Sequence, residues 1–213
     1  LTQIFPSKYQ IESSHLVNLI FSLGAIFAIG NVSKELFNKK VSKIVFLVLF
    51  FYPVFFGHMG FNPKDTILTF CHVWIFYSIL KYLKNQTNKY VANIGILAAM
   101  GTGIQLFFLG SLIPIFIFFI CEIFIFKKII YTNFDKKRFL YDLLKCFLIF
   151  YILLVLFWVD THSNIFVLPF EILMKTLSSD FYTGIPFNLI NENYYYSTEI
   201  PKLYLFINFI YKI

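Results

Sequence analysis

The chain has 213 residues and a formal charge of +7, yet only 14% of its residues are charged while 59% are hydrophobic and 22% aromatic. An ordinary soluble domain carries about 25% charged residues, so this composition excludes disorder and points away from a soluble fold. The lysines stand between apolar runs rather than on one basic face, which argues against nucleic acid as a partner and is how membrane topology is written.

Uncharged stretches of 21, 20 and 32 residues lie between Glu12 and Lys34, Lys43 and Lys64, and Lys89 and Glu122. A hydrocarbon core needs about 20 apolar residues, so the expected fold class is all-α, a polytopic transmembrane helix bundle with about six crossings and a partial seventh. In chain order the crossings are predicted near 15–33, 44–57, 66–83, 91–126, 146–159 and from 202 onward. A single helix over 91–126 would be about 54 Å long, too long for a core of about 30 Å. It is therefore expected to break near Gly101, Thr102 and Gly103, where glycine weakens a helix and permits a turn. The segments 44–57 and 91–103 are short for full crossings, which suggests helix ends beside a protein-lined cavity. The chain opens at Leu1 and stops at Ile213 inside an apolar run, so residues 1–213 are expected to be a fragment of a single transmembrane domain.

Three gaps, 34–43, 81–90 and 127–145, hold 13 of the 18 basic residues. Short cytoplasmic loops collect lysine and arginine, so these gaps are assigned to the cytoplasm. Residues 1–14, 58–65 and 160–201 then fall outside, with seven of the 11 acids. Within 160–201, Pro169 is placed to start a helix in which Phe170, Leu173, Met174 and Leu177 recur at helical spacing, opposite Glu171, Lys175 and Ser178. This predicts an interfacial helix on the outer face. Tyr194, Tyr195 and Tyr196 are expected to join an aromatic belt.

The stretch most suggestive of chemistry is Gly57-His58-Met59-Gly60-Phe61-Asn62-Pro63-Lys64-Asp65-Thr66. Asp65 or Thr66 could cap the following helix, which needs no function. Lys64 is not explained that way. On the outer side it runs against the charge rule, and beside a helix N-terminus it would make a receptor for a phosphate group.

The run Phe56 to Thr66 resembles the outer-loop motif of bacterial membrane glycosyltransferases related to dolichyl-phosphate-mannose protein mannosyltransferases and the lipid A aminoarabinose transferases, which share the GT-C fold. His15-Leu16-Val17-Asn18 and the stretch from Asn191 to Tyr204 agree with it. The resemblance implies an integral protein of a bacterial inner membrane that moves a sugar from a polyprenyl-phosphate donor to an acceptor hydroxyl on a lipid, glycan or protein at the outer face, with inversion at the anomeric carbon. It places His58, Asn62, Lys64 and Asp65 at the substrate or donor phosphate, and admits a divalent cation bridging to that phosphate. Gln105 stands where relatives often carry an arginine. The family's catalytic base lies in a loop that would precede residue 15, and Glu12 does not match its acidic motif, so the base is expected outside this chain.

The remaining polar residues carry weaker signals. Glu122 interrupts an apolar run and is expected to snorkel to the cytoplasmic interface, five residues from Lys127. His15, His72 and His162 share no metal-ligand spacing, and Cys71, Cys121 and Cys146 read as core residues. Asn31-Val32-Ser33 and Asn85-Gln86-Thr87 match a glycosylation pattern but fall near the cytoplasmic side. The alternative function is a multi-pass transporter or lipid flippase, with the break at Gly101 to Gly103 and Glu122 as coupling elements; a non-catalytic scaffold or inactive relative is a third.

Overall fold

Helix punctuation follows the lysine gaps. In a computed structural model the chain is described at residues 9–61, 63–127, 134–158, 161–177, 187–190 and 193–196. It divides into two compact units, residues 1–165 and 166–213. The first unit is a bundle of α1 (Gln10–Leu36), α2 (Lys39–Phe51), α3 (Pro53–Phe61), α4 (Pro63–Lys84), α5 (Asn88–Ile104), α6 (Phe108–Cys121) and α7 (Lys136–Phe157), with a π-turn at Glu122–Phe126 continuing α6. Among the described residues four helical stretches are long and apolar enough to cross a membrane: Ile11–Leu36, Lys64–Lys84, Phe108–Phe126 and Lys136–Phe157.

Local chemistry sets several of these ends. The Asn38 side chain accepts from the amides of Lys40 and Val41 at 2.9 and 3.0 Å and starts α2; Asp135 does the same for Lys137 at 2.8 Å and starts α7. Such caps satisfy amides that the first helical turn leaves without partners. Pro53 divides the short crossing predicted at 44–57, because a residue before proline is driven out of the helical region. Tyr52 accordingly sits at φ −68°, ψ 115° between α2 and α3. At the end of the π-turn, Lys127 adopts a left-handed φ of 50° and its amide donates to the Glu122 carbonyl at 3.0 Å.

Cross-helix contacts fix the directions. Asn18 meets Thr66, the Trp74 indole donates to the Gly24 carbonyl at 3.1 Å, and Glu35 meets Lys81 and Lys84, so α1 and α4 run parallel. Helix α5 returns along α4. Helix α6 then runs with α4, since His72 lies against Phe108, Phe76 against Phe118 and Tyr82 against Phe119. Helix α7 runs with α5, where Gly95 allows a close approach: a Cβ there would lie 2.9 Å from the Cys146 carbonyl oxygen. The core is a stripe on α4, Cys71, Ile75, Ile79 and Leu83, packed on Val91, Ile94 and Ala98 of α5 and on Phe108, Leu112, Ile115 and Phe119 of α6. Recurrence at i and i+4 puts each set on one helix face. Leu144, Leu148, Ile152 and Leu156 of α7 stay exposed, as suits a face turned to lipid.

Four expectations change. The stretch 58–65 is mostly helix, since α3 reaches Phe61 and α4 opens at Pro63. Proline suits a first helical position because its missing N–H would have no partner there, so Asp65 and Thr66 lie within the helix and neither caps it. The break in 91–126 comes at Gln105, after the glycines; Gly101 instead makes room for Phe108, whose ring would lie 2.4 Å from a Cβ at that position. Helix α7 starts at Lys136, ten residues before the predicted crossing, because lysine and arginine are good helix formers and a helix does not stop where the hydrocarbon does. Glu122 is 2% exposed and packed in the protein rather than snorkelling.

In the second unit α8 (Leu168–Leu177) forms as the spacing predicts, with Phe170 and Met174 exposed. An antiparallel hairpin of β1 (Phe187–Ile190) and β2 (Asn193–Tyr196) pairs Phe187 with Tyr196 and Ile190 with Asn193. The crossing predicted from 202 lies outside the described residues.

Candidate functional site

The helix directions give the bundle two unlike ends. One collects the end of α1, the α4–α5 connection and the starts of α2 and α7, and with them the three lysine-rich gaps. The other gathers the starts of α1, α4 and α6 with the ends of α3, α5 and α7. Lys64, Asp65 and Gln105 fall at this second end.

Lys64 and Asp65 occupy the first turn of α4 and are both exposed. Among the described residues Lys64 has no hydrogen-bond or ion-pair partner, while Thr66 beside them is 2% exposed and donates its hydroxyl to the Asn18 side-chain oxygen. Asn18 is itself 1% exposed, and its carbonyl accepts from the Ser22 hydroxyl at 2.8 Å. One turn below, the Thr69 hydroxyl donates to the Asp65 carbonyl at 2.8 Å. This chain of bonds fixes the first turn of α4 against α1. It leaves the ammonium of Lys64 facing outward near a helix N-terminus, where the partial positive charge of the backbone also favours an anion.

Gln105 closes α5 in an extended conformation, its amide donating to the Gly101 carbonyl at 3.0 Å and its carbonyl accepting from the Phe108 amide at 2.9 Å. No hydrogen bond joins Gln105 to Lys64 or Asp65 among the described residues. His58 belongs to α3 and its side chain lies outside the described residues, as does all of Asn62. Glu12 is exposed in the first turn of α1.

Three polar residues near this end are not signalled as a site by the sequence, which gives His72 no metal-ligand spacing, marks Thr102 only as part of a helix break and gives no sign of Ser111. His72 is half-buried on α4, with Nδ1 3.4 Å from the Ser111 hydroxyl on α6. Ser111 in turn donates to the Phe108 carbonyl at 2.7 Å. Thr102 is 1% exposed, and its hydroxyl has no partner among the described residues. Only the apposition of α4 and α6 brings His72 and Ser111 together, 39 residues apart, and no short-range spacing signals it.

Among the described residues no group of three or more His, Cys, Asp or Glu gathers to hold a metal ion. The chemistry open to the described groups is electrostatic: a fixed cation and a helix terminus that together oppose the charge of a phosphate.

A family model described as dolichyl-phosphate-mannose-protein mannosyltransferase matches residues 1–158. No curated protein and no solved structure matches the chain.

Proposed function

The chain belongs to the dolichyl-phosphate-mannose-protein mannosyltransferase family of membrane glycosyltransferases, and on that premise we propose that it transfers a sugar from a polyprenyl-phosphate donor to an acceptor hydroxyl at the outer face of a bacterial inner membrane. The match lies wholly within the first unit, which carries Lys64, Asp65 and Gln105. The separation of the two bundle ends supports the sidedness, because an end that collects lysines is the one retained in the cytoplasm. On this reading 34–43, 81–90 and 127–145 are cytoplasmic, while 1–14, 58–65 and 160–201 face outward. The exposed apolar side chains of α8 suit a helix lying at that outer surface.

Lys64, exposed at the start of α4 and without a partner among the described residues, is the observation that carries the mechanism. Breaking a sugar–phosphate bond leaves positive charge at the anomeric carbon and negative charge on the departing phosphate. A cation fixed beside the phosphate stabilises that charge as it forms, and does more in the transition state than in the bound donor. Lys64 takes this role, with His58, Asn62, Asp65 and Gln105 along the donor headgroup. The acceptor hydroxyl loses its proton to a base supplied from outside the residues of this site.

In the intact protein in proteoliposomes, Lys64→Ala should lower transfer from a polyprenyl-phosphate-linked sugar by about 100-fold, the scale of losing one electrostatic donor. Membrane insertion and the unfolding temperature should stay unchanged, and Lys64→Arg should recover part of the rate. Full turnover by Lys64→Ala would remove this residue from the mechanism.

A further inference from the structure

Helices α1 and α2 meet in an open hairpin at the lysine-rich end, held by the Ser42 hydroxyl, which donates to the Gly30 carbonyl at 2.7 Å. Between them lies a groove of about 430 Å³. Its walls change character along its length. Phe27, Phe46 and Leu47 line the deeper part, and Asn31, Ser42 and Lys43 the part nearer the hairpin turn. Phe27 precedes the end of α1 by nine residues, or about 14 Å of helix, which is close to the half-thickness of a hydrocarbon core, about 15 Å. The groove thus runs through about one leaflet, from headgroup level to near the bilayer midplane.

Its charge is not neutralised among the described residues. Lys34, Lys39, Lys40 and Lys43 are exposed, and among the described residues none has an ion-pair or hydrogen-bond partner through its ammonium. The acid next to them in sequence, Glu35, is engaged on the other side of α1 by Lys81 and Lys84, both at 2.8 Å. The Asn31 amide is half-buried in the groove and also has no partner among the described residues. An apolar trough that ends in a free ammonium and a free amide is complementary to a molecule with an acyl chain at one end and a phosphate at the other.

We infer that the α1–α2 groove is a binding site for an anionic phospholipid of the leaflet on the lysine-rich side, with the lipid phosphate at Lys43 and Asn31 and an acyl chain along Phe27 and Phe46. The site lies at the opposite end of the bundle from Lys64, so it is separate from the proposed donor site. A lipid seated there fills the space that Gly30 leaves between the two helices and carries a counter-charge that these lysines do not find among the described residues.

The test is electron spin resonance on the intact protein in phosphatidylcholine nanodiscs containing trace phosphatidylglycerol or phosphatidylcholine, each spin-labelled on its acyl chain. The wild type should restrict phosphatidylglycerol about fivefold more strongly than phosphatidylcholine, the scale of one lysine acting on an anionic lipid. Lys43→Gln combined with Asn31→Ala should abolish that preference, and Lys43→Arg should keep it. Gly30→Leu should abolish it too, because it fills the groove without altering any charge; its Cβ fits, 3.7 Å from the Ser42 hydroxyl oxygen. Lys89→Gln removes an exposed lysine elsewhere at the same end and should leave the preference intact. A preference that survives Gly30→Leu, or falls equally with Lys89→Gln, would mean diffuse attraction and would overturn the site. Equal restriction of both lipids by the wild type would overturn it as well, as expected if another helix or protein segment fills the groove.

Discussion

The two ends of the bundle spend their charged groups differently. At the lysine-rich end the carboxylates are enclosed by partners. Glu35 is held by Lys81 and Lys84. Asp142, 3% exposed, accepts from the Tyr82 hydroxyl at 2.9 Å and lies 3.5 Å from Arg138 and 3.6 Å from Lys145. Gln86 and Asp135 exchange bonds at 2.9 Å in both directions, joining the end of α4 to the start of α7. At the other end the bonds of Asn18, Thr66 and Ser22 lie in the interior, while the ammonium of Lys64 has no partner among the described residues. Polar groups satisfied within the protein fix helix positions; a charge without an internal partner is available to a ligand. Substitutions of the paired charges at the first end should therefore alter stability, and substitution of Lys64 at the second should alter turnover.

The largest stability effect should come from stripping Asp142 of its cations. Arg138→Gln with Lys145→Gln leaves a buried carboxylate facing only a phenol, and a buried charge that loses its partners costs about 3 kcal/mol. Thermal unfolding in detergent should fall accordingly, while transfer measured below the melting transition stays near wild type. Next in size is Gly101→Ala, at about 2 kcal/mol for overpacking, because the Phe108 ring must move to admit the methyl group. Phe108→Leu should restore most of that loss if the clash is the cause. Failure of the second substitution to rescue the first would mean that Gly101 serves the turn's backbone instead.

How far the sequence could be read differs between the same two regions. Lysine runs report where a helix ends, and the gaps 34–43 and 81–90 hold the ends of α1 and α4 and the starts of α2 and α5. They do not fix the boundary itself, since Lys136, Lys137 and Arg138 continue as the first turn of α7. At the other end Gly57, Gly60 and Asn62-Pro63 suggested a loop, but glycine is tolerated inside a helix at about 1 kcal/mol, and α3 runs through both glycines. Lys64 was legible because it broke the charge pattern. Asn18 and Thr66 were not, because their meaning lies in a contact across 48 residues that nothing in local spacing encodes. The hairpin was not signalled either: Phe187-Asn188-Leu189-Ile190 and Asn193-Tyr194-Tyr195-Tyr196 flank Asn191-Glu192, which lacks the glycine of a two-residue turn signal.

Thr66→Val sharpens the comparison from the Lys64 side. It keeps the shape and removes the hydroxyl that Asn18 receives, leaving a buried amide oxygen with one bond fewer, at a cost of about 1–2 kcal/mol. Because Thr66 anchors the turn that presents Lys64, transfer should fall by more than the melting temperature suggests. If turnover is unchanged while melting drops, the anchor is structural alone and Lys64 is positioned by something else.

The smallest effect should be Glu35→Gln. It removes one acid from two lysines whose side chains are 29% and 30% exposed, and pairs this accessible to solvent contribute at most about 1 kcal/mol each. The substitution keeps the volume and a hydrogen-bond acceptor, so what remains to be lost is charge attraction, which salt screens within about 10 Å at 0.1 M. The difference in melting temperature between Glu35→Gln and the wild type should therefore shrink as salt is raised. The Arg138→Gln, Lys145→Gln double variant should keep most of its deficit, because the Asp142 carboxylate is buried and screened far less. Equal salt sensitivity at the two sites would show that Asp142 is as open to solvent as Glu35, and the lysine-rich end would then be a solvated surface rather than a fixed joint between helices.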